Sequence, residues 1–278
     1  MLILEKRSYT KSFASIYDEV MDNVPYEFWY KYVKDILDYY NKKPDKVIDL
    51  ACGTGNMTLL FAENENWDIS GVDLSQDMLD IARRKTEKRN KAIKFYQADL
   101  RTFSPELKFD LAVSLFDSLN YILDYDELKN VFYNVYQLLD NDGLFIFDMN
   151  TIERLMSIEE GTMLLNGEGF SCFWEDIVDE ENKIWKVKLK IYFEEDELDF
   201  YEEVHKETAY PISDVLAALK WAGFREIDVF NAYTFKQGKD SDNRVYFAAG
   251  KKLLNREKSF FSKTGKKLKW HFLNTFVI

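Results

Sequence analysis

The stretch DKVIDLACGTGNMTLLFA, residues 45–62, joins two apolar runs through a loop that contains two glycines. The first run, residues 47–51, predicts a buried strand, and residues 57–63 have the spacing of a helix. Gly53 and Gly55 allow backbone conformations and close approaches that a Cβ atom would block. Such a strand, loop and helix bring backbone N–H groups to a ligand, and the rest of the chain must indicate which ligand.

Strand and helix patterns continue to alternate after this loop. Further apolar runs cover residues 69–73, 93–97, 111–115 and 144–148, with helix patterns at 76–89 and 126–139. Continuous apolar runs separated by amphipathic helices are typical of parallel strands joined by crossover helices. A turn predicted at residues 141–143 ends the last of these helices. The pattern predicts a doubly wound α/β fold with a mostly parallel sheet.

Residues 169–208 have a different pattern, in which apolar and polar positions alternate in three runs separated by charged breaks. This alternation predicts an antiparallel β-meander inserted into the α/β domain. A helix closed by Gly223 and two further strands complete the body of the chain.

The N-terminal residues 5–40 have helical periodicity interrupted at Pro25, and three aromatic residues four positions apart form one stripe. We therefore divide the chain into four parts. These are a helical lid at 1–44, a ligand-binding α/β domain at 45–168 and 209–250, an inserted substrate lid at 169–208, and a basic tail at 251–278 that we expect to be a disordered extension.

Length and composition set limits on the class of protein. The 278 residues are 46% hydrophobic and 16% aromatic, enough for one large packed domain or two small ones. No apolar run is long enough to span a bilayer, and the N-terminus lacks the pattern of a signal peptide. Cys52 and Cys172 are too few for a disulfide framework and lack metal-ligand spacing. We expect a cytoplasmic protein without a membrane segment or a bound metal.

The net charge of −12 is unevenly distributed along the chain. Residues 251–278 carry eight Lys or Arg and one Glu, a net charge of +7, so residues 1–250 carry −19. A body this acidic repels a phosphate backbone, which disfavours a large nucleic-acid substrate.

Three acidic residues at the ends of successive predicted strands indicate which ligand binds. Asp73, 20 positions beyond Gly53, can accept both hydroxyls of a ribose. Asp49 precedes the glycines, where it suits the amino end of a sulfonium amino acid and would repel a pyrophosphate. Asp99 can accept from an adenine amino group. The loop also has Thr58 in place of a third glycine and lacks the Gly-Lys-Ser/Thr of a P-loop, which disfavours a dinucleotide or a nucleoside triphosphate.

On these residues the chain resembles the class I S-adenosylmethionine-dependent methyltransferases. The matching segments are VIDLACGTGN, GVDLSQDML, QADL and FDLAVSLFDSLNYI, with AGFREIDVF and NRVYFAAGKK as the last two strands. The resemblance implies a seven-stranded sheet whose last strand is antiparallel. The insertion and the aromatic N-terminal helix resemble the small-molecule branch that includes glycine and sugar-amine N-methyltransferases.

The resemblance also implies a set of residues that contact S-adenosylmethionine. Residues near the methionine part, the ribose, the adenine and the sulfonium are Asp49, Ala51, Cys52, Gly53, Gly55, Asp73, Leu74, Met78, Asp99, Leu100, Leu115 and Phe116. For Cys52, a role as a small packing residue is favoured over a role as a nucleophile.

Four residues are candidates for contact with the methyl acceptor, each with a structural alternative. Asp117 and Asn120 follow the fourth strand and could orient an amine or hydroxyl, or they could cap a helix. Tyr17 could close over the cofactor, or it could belong to an aromatic core stripe. His205 could act as a base, although a lone His on an alternating strand is more often a surface residue.

Other aromatic residues could form the wall of an acceptor pocket, or they could simply pack in the core: Trp29, Phe170, Phe173 and Trp174. We therefore expect methylation of a small molecule, with nitrogen favoured over oxygen as the acceptor atom. A nicotinamide-dependent oxidoreductase and a non-catalytic S-adenosylmethionine sensor are the alternatives.

Overall fold

A computed structural model describes residues 8–195, 200–252 and 254. These residues form two sheets, with α-helices on both faces of the larger one. The strands are β1 Lys46–Leu50, β2 Asp68–Asp73, β3 Lys94–Gln97, β4 Phe109–Ser114, β5 Leu139–Asn150, β6 Gly161–Gly167, β7 Phe170–Asp179, β8 Ile184–Phe193, β9 Tyr201–Thr208, β10 Glu226–Asn231 and β11 Arg244–Gly250. The helices are α1 Lys11–Val20, α2 Tyr26–Tyr39, α3 Asn56–Asn64, α4 Gln76–Lys88, α5 Tyr125–Leu138, α6 Ile152–Met156 and α7 Ile212–Ala222, with a 3₁₀ turn at Ser118–Tyr121.

The larger sheet has seven strands in the order β10-β11-β5-β4-β1-β2-β3. The pairs among β1 to β5 are parallel, and β11 runs antiparallel to both β5 and β10. Strand β1 lies inside the sheet, and its residues 47–50 are buried, as expected for a parallel strand covered on both faces. The predicted fold class, including the antiparallel last strand, is confirmed.

One detail of the main sheet differs from the sequence prediction. The turn predicted at residues 141–143 lies within β5, where the pairing with β4 jumps from Phe109 opposite Leu139 to Leu111 opposite Leu144. The residues between Leu139 and Leu144 therefore bulge out of the ladder and redirect the strand. The predicted interruption at Pro25 is present, since it separates α1 from α2.

The second sheet, which we call the roof sheet, consists of β6-β7-β8-β9 and is antiparallel throughout. The sequence analysis assigned three of these strands and missed β6. Residues 161–165 of β6 include four exposed positions in a row and then a half-buried one, so the strand lacks the alternation that identifies its neighbours.

The roof sheet packs one face against α1. Alternate residues of β8 are buried on that face, including Trp185, Val187 and Leu189, and they share a hydrophobic cluster with Phe13 and Tyr17 of α1. The sheet and α1 therefore form one layer that covers an edge of the main sheet.

In the described part of the chain, no helix is both long and apolar enough to cross a membrane. Of the predicted basic tail, the structure describes Lys251, Lys252 and Leu254. The prediction of disorder for the rest concerns residues that lie outside the described part of the chain. Leu254 is buried against the main sheet.

Candidate active site

The loop between β1 and α3 forms the floor of the candidate site. Ala51, Gly53 and Gly55 have positive φ angles of 56°, 54° and 76°, which glycine adopts without strain. A Cβ on Gly55 would lie 3.0 Å from the Cβ of Ala82 on α4, whereas a Cβ on Gly53 would meet no atom within 4 Å. Gly55 therefore permits close packing of α4, and Gly53 borders open space.

This open space is a cavity of about 1350 Å³ at the carboxyl ends of β1 to β4, which we call the large cavity. Open α/β sheets bind their ligands at this edge. Residues 8–10 and the roof sheet form its opposite side. Twelve of the sixteen predicted site residues line it: Tyr17, Asp49, Ala51, Cys52, Gly53, Asp73, Leu74, Met78, Asp99, Leu100, Leu115 and Phe116. The other four, Gly55, Asp117, Asn120 and His205, do not line it.

Asp73, at the end of β2, is held by backbone groups. One carboxylate oxygen accepts the N–H of Gly53 at 2.8 Å, and the other accepts the N–H of Ser75 at 2.8 Å. Burial raises the pKa of Asp73, and these backbone hydrogen bonds oppose that rise. Ser75 caps α4 through its side chain, so the capping role belongs to Ser75. Each oxygen of Asp73 keeps lone pairs for a ligand hydroxyl.

Asp49 lies deeper, at 2% exposure, where β1 leads into the loop. The hydroxyl of Thr58 donates a hydrogen bond to its carboxylate. The pKa of Asp49 is raised to about 7, mainly by burial and also by the nearby charge of Asp73, while the Thr58 hydrogen bond opposes the rise. Asp49 therefore changes its charge near neutral pH, on the wall of a cavity.

Asp99, the third acid, is paired with a cation that the sequence analysis missed. Arg101 donates to both of its carboxylate oxygens and also to the carboxylate of Glu127 on α5. The hydrogen bonds from Arg101 lower the pKa of Asp99. Asp99 is thus oriented at the cavity wall as a carboxylate. No spacing rule indicates this pairing, because it depends on how the chain turns after β3.

Cys52 lines the large cavity, but its thiol is not set up as a nucleophile. Burial raises the pKa of the Cys52 thiol well above its ordinary value, and the charges of Asp49 and Asp73 add to the rise. A Cβ on Gly71 would lie 2.8 Å from the Sγ of Cys52. A protonated thiol in close packing suits the packing role that we favoured for Cys52.

The N-terminal segment and α1 contact both sides of the large cavity. The hydroxyl of Ser75 donates to the Tyr9 carbonyl at 2.6 Å, and the Tyr9 hydroxyl donates to that of Tyr121 at 2.7 Å. Tyr17 is buried, and burial raises its pKa well above the ordinary value. The aromatic stripe of α1 therefore packs in the core, and its residue Tyr17 also lines the large cavity. Closure of Tyr17 over the cofactor stays a prediction.

Asp117 belongs to a buried ion-pair network. Arg244 on β11 contacts Asp148 on β5 and also lies 3.2 Å from the Asp117 carboxylate. The Asp148 carboxylate accepts the N–H of Phe116 at 2.8 Å and that of Asp117 at 3.2 Å. Phe116 and Asp117 have positive φ angles of 65° and 47°, a conformation that costs energy outside glycine. The network therefore holds the strained turn that follows β4.

The side-chain amide of Asn120 makes three hydrogen bonds to described residues. Its amide donates to the carbonyls of Asn150 at 3.1 Å and Thr208 at 2.7 Å, and its oxygen accepts the Asn150 N–H at 3.1 Å. Asn120 thereby joins the main sheet to the end of β9. These contacts are structural but do not cap a helix, so the capping alternative was wrong for Asn120. A role in orienting the acceptor stays a prediction.

His205 is buried, at 4% exposure, which corrects the expectation of a surface residue. It lies on the face of β9 that turns inward, together with Glu203 and Glu207. The Nδ1 of His205 lies 3.3 Å from the Tyr121 hydroxyl, and Nε2 lies 3.4 Å from Glu203. The pattern Glu-Val-His-Lys-Glu contains this period-two signal, but the acidic residues suggested an exposed face.

The four aromatic residues considered for the acceptor pocket have different environments. Phe170 and Trp174 are buried on the inner face of the roof sheet, and Trp29 packs against Phe116 with ring centroids 5.0 Å apart. Phe173 lies on the outer face beside Tyr192, so it cannot line an inner pocket, and the hypothesis was wrong for this residue. Among the described residues, no cluster of three His, Cys, Asp or Glu side chains is placed to hold a metal ion.

Comparison with known proteins assigns the class. Residues 47–143 match a family model described as "Methyltransferase domain". A protein of Geobacillus sp. (strain WCH70) named "Putative methyltransferase" is 30% identical over 245 residues, which cover 87% of this chain and 99% of its relative. The chain therefore belongs to the class I S-adenosylmethionine-dependent methyltransferases. It is an enzyme that uses S-adenosylmethionine as its methyl donor.

Two solved structures support the assignment. An S-adenosylmethionine-dependent methyltransferase from Clostridium acetobutylicum has a TM-score of 0.74 at 28% identity, covering 86% of this chain and 97% of that one. The sugar N-methyltransferase KedS8 from Streptoalloteichus sp. has a TM-score of 0.70 at 22% identity, covering 92% and 99%. The second comparison shows a shared fold.

The residues of the large cavity fit S-adenosylmethionine. The molecule carries a positive sulfonium and an amino group, and Asp49, Asp73 and Asp99 make the cavity wall acidic. Gly53 leaves room beside the loop that a side chain would fill. The cavity is also larger than the 300–1,000 Å³ of an ordinary small-molecule site, so there is space for a second ligand.

Proposed function

We propose that this enzyme transfers the methyl group of S-adenosylmethionine to a nitrogen atom of a small molecule. The observation that carries the proposal is the large cavity, which is covered by the roof sheet and α1 and is lined by seven acidic and four basic residues of the described part of the chain. A covered cavity suits a small acceptor better than a protein or nucleic acid surface. An acidic cavity suits an amine, which is cationic in water. The name of KedS8 refers to a sugar nitrogen as the acceptor in that protein.

In this proposal three carboxylates hold the donor. Asp49 binds the amino group, Asp73 binds the ribose hydroxyls and Asp99 binds the adenine edge. Leu115 and Phe116, which follow β4, lie beside the sulfonium. The donor supplies an activated methyl group, because the sulfur leaves as a neutral thioether.

The contribution of the protein is then mainly alignment and exclusion of water. Holding two reactants in the geometry of attack can contribute about 7–11 kcal/mol to a barrier. Tyr9, Tyr17 and Tyr121 line the large cavity next to Phe116, where they exclude water from the reacting atoms. A neutral amine carries its own lone pair, so attack itself needs no strong base.

The experiment that tests the proposal has two parts. Titration calorimetry compares the binding of S-adenosylmethionine with that of NAD, and we expect binding of the first alone. Release of S-adenosylhomocysteine is then measured with a panel of amines and a matched panel of alcohols. Turnover with alcohols but with no amine would contradict nitrogen as the acceptor atom, and binding without any turnover would favour the sensor alternative.

We predict that the affinity for S-adenosylmethionine depends on pH through Asp49. Its pKa is raised to about 7 by burial, so the carboxylate is mostly protonated at pH 6 and mostly ionised at pH 7.5. If the ionised form binds the amino group, affinity rises about eightfold over this interval. Calorimetry at several pH values measures the rise. The Asp49→Asn variant should bind weakly and lose the rise, and an equal pH dependence in both proteins would contradict the role of Asp49.

A further inference from the structure

A second, smaller cavity of about 50 Å³ lies next to the large one. This volume exceeds the roughly 10–15 Å³ that one water molecule requires, so it has room for a group of about the size of an ammonium. Four residues line both cavities: Tyr9, Tyr17, Phe116 and Tyr121. These four aromatic residues form a partition between the two cavities. One of them, Phe116, lies just beyond the end of β4.

The wall of the small cavity combines aromatic and ionisable side chains. Trp174, Trp185 and Val187 come from the roof sheet, and Asp117, His205 and Glu207 supply the ionisable groups. An aromatic wall beside carboxylates is the chemistry that recognises an organic cation, since ring faces and carboxylates both attract positive charge.

Glu207 is a buried acid in this wall, and its carboxylate interacts with the side chain of Asn150. It is 6% exposed and lies opposite Trp185 in the register of β8 and β9. Among the described residues, its Oε2 has no hydrogen-bond partner. A buried carboxylate oxygen without a donor is costly, and a ligand that donates a hydrogen bond would remove that cost.

Glu207 and the charged groups around it have a net negative charge that one more cation would neutralise. Asp117 and Asp148 share the guanidinium of Arg244, so that cation is already used. The charges of Asp117, Asp148 and Arg244 all act on Glu207, and Arg154 on α6 also lies within electrostatic range. Three ionised carboxylates would exceed these two guanidinium groups by one negative charge.

We propose that the small cavity binds the amino group of an alkylamine acceptor, which enters as an ammonium ion, and that Glu207 accepts its proton. This inference rests on the proposed function, because it names the acceptor class of the same reaction. The body of the acceptor lies in the large cavity, and the partition of Tyr9, Tyr17, Phe116 and Tyr121 surrounds the nitrogen.

The chemical steps balance. One N–H bond of the ammonium breaks, its proton moves to the Glu207 carboxylate, and the nitrogen recovers a lone pair. That lone pair forms the new N–C bond while the C–S bond breaks and its electron pair stays on sulfur. The product is an alkylated ammonium, and Glu207 returns its proton to solvent when the product leaves.

The environment of Glu207 suits this role. Burial raises the pKa of Glu207 well above its ordinary value, the charges of Asp117 and Asp148 add to the rise, and that of Arg244 opposes it. A carboxylate of raised pKa is a stronger base than an exposed one, and the positive charge of the bound ammonium favours the ionised form that accepts the proton.

The first test measures binding without turnover. The complex with S-adenosylhomocysteine is titrated with cyclohexylamine, which is cationic at pH 7.5, and with cyclohexanol, its neutral counterpart. We expect wild type to bind the amine at least tenfold more tightly than the alcohol, and Glu207→Gln to lose that preference. A wild-type preference below threefold, or an unchanged preference in Glu207→Gln, would overturn the proposal.

Two further variants control for folding and for surface charge. Glu180→Gln makes the same chemical change at an exposed position between β7 and β8 and should keep the wild-type preference. Val187→Leu keeps every charge but fills the small cavity, and should lose the preference while it still binds S-adenosylhomocysteine. If Glu207→Gln does not fold, the test rests on Val187→Leu. A Val187→Leu variant that still prefers the amine to the alcohol would then overturn the proposal.

A turnover assay separates this inference from the proposed function. With an amine substrate we expect kcat/KM of Glu207→Gln to fall about 100-fold. Suppose that wild type methylates the amine and that kcat/KM of Glu207→Gln is within threefold of wild type. This result would overturn the role of Glu207 but not the proposed function. Glu207-dependent binding of amines with no methylated amine would overturn the proposed function and leave the ammonium site standing.

Discussion

The Asp73→Asn variant is expected to bind S-adenosylmethionine about 100-fold more weakly than wild type. The carboxylate accepts one backbone N–H on each oxygen and, in the proposed site, both ribose hydroxyls. A hydrogen bond to a charged group is worth about 1.5–3 kcal/mol, so two such bonds exceed the roughly 2.8 kcal/mol that corresponds to 100-fold. The asparagine NH₂ would also face a backbone N–H, which adds a donor–donor conflict. Titration calorimetry measures the change.

Asp80→Asn is the matched control for this prediction. Asp80 is on the exposed side of α4, where it pairs with Arg83 at 3.0 Å. An exposed pair of this kind contributes at most about 1 kcal/mol to stability and lies outside the large cavity. The control should therefore bind with wild-type affinity. An Asp73→Asn dissociation constant within threefold of wild type would contradict the ribose role.

Arg244→Met is expected to lower the free energy of unfolding by about 3–5 kcal/mol. Arg244 is the shared partner of Asp117 and Asp148, which are both buried. Removing it leaves two buried carboxylates without a cation, and methionine fills the space of the stem without replacing the charge. The strained backbone at Phe116 and Asp117 loses its support at the same time. Urea denaturation followed by circular dichroism measures the change.

Arg89→Met is the control, because it removes an exposed ion pair instead of a buried one. It therefore shows how much of the loss at Arg244 is due to burial. Arg89 contacts Glu63 at 2.6 Å, but their side chains are 57% and 31% exposed. The expected loss for Arg89→Met is below about 1 kcal/mol. Equal losses at the two positions would mean that the buried network contributes no more than a surface pair.

The parallel sheet and the acids at its edge could be predicted from sequence for a physical reason. Buried parallel strands have continuous apolar runs, and the carboxyl ends of such strands all lie on one edge. Polar residues at or near the carboxyl ends of these runs must therefore lie near one another. Asp49, Asp73 and Asp99 follow this rule, and all three line the large cavity.

The other side of the site depends on packing between segments that are distant in sequence. His205 is buried because its side of the roof sheet contacts α1. The alternation of residues along β9 does not indicate which of the two faces of the sheet is buried. Arg244 lies 96 positions from Asp148, so no local pattern links them. Strand β6 has little burial and hence little hydrophobic signal. These features become visible only when the two sheets are placed together.

Residues 8–10 make hydrogen bonds to both halves of the molecule. Tyr9 accepts from Ser75 at 2.6 Å, Ser8 donates to Val204 at 2.9 Å, and the Thr10 N–H donates to Glu203 at 3.0 Å. We expect the ligand that binds first to tighten this connection, which lowers the entropic cost of binding for the second ligand. Positive cooperativity between donor and acceptor follows, and by linkage it is reciprocal, with a usual size of about 1–3 kcal/mol. Calorimetric titration of S-adenosylhomocysteine with and without a saturating amine would measure it, and a Ser75→Ala variant should reduce it.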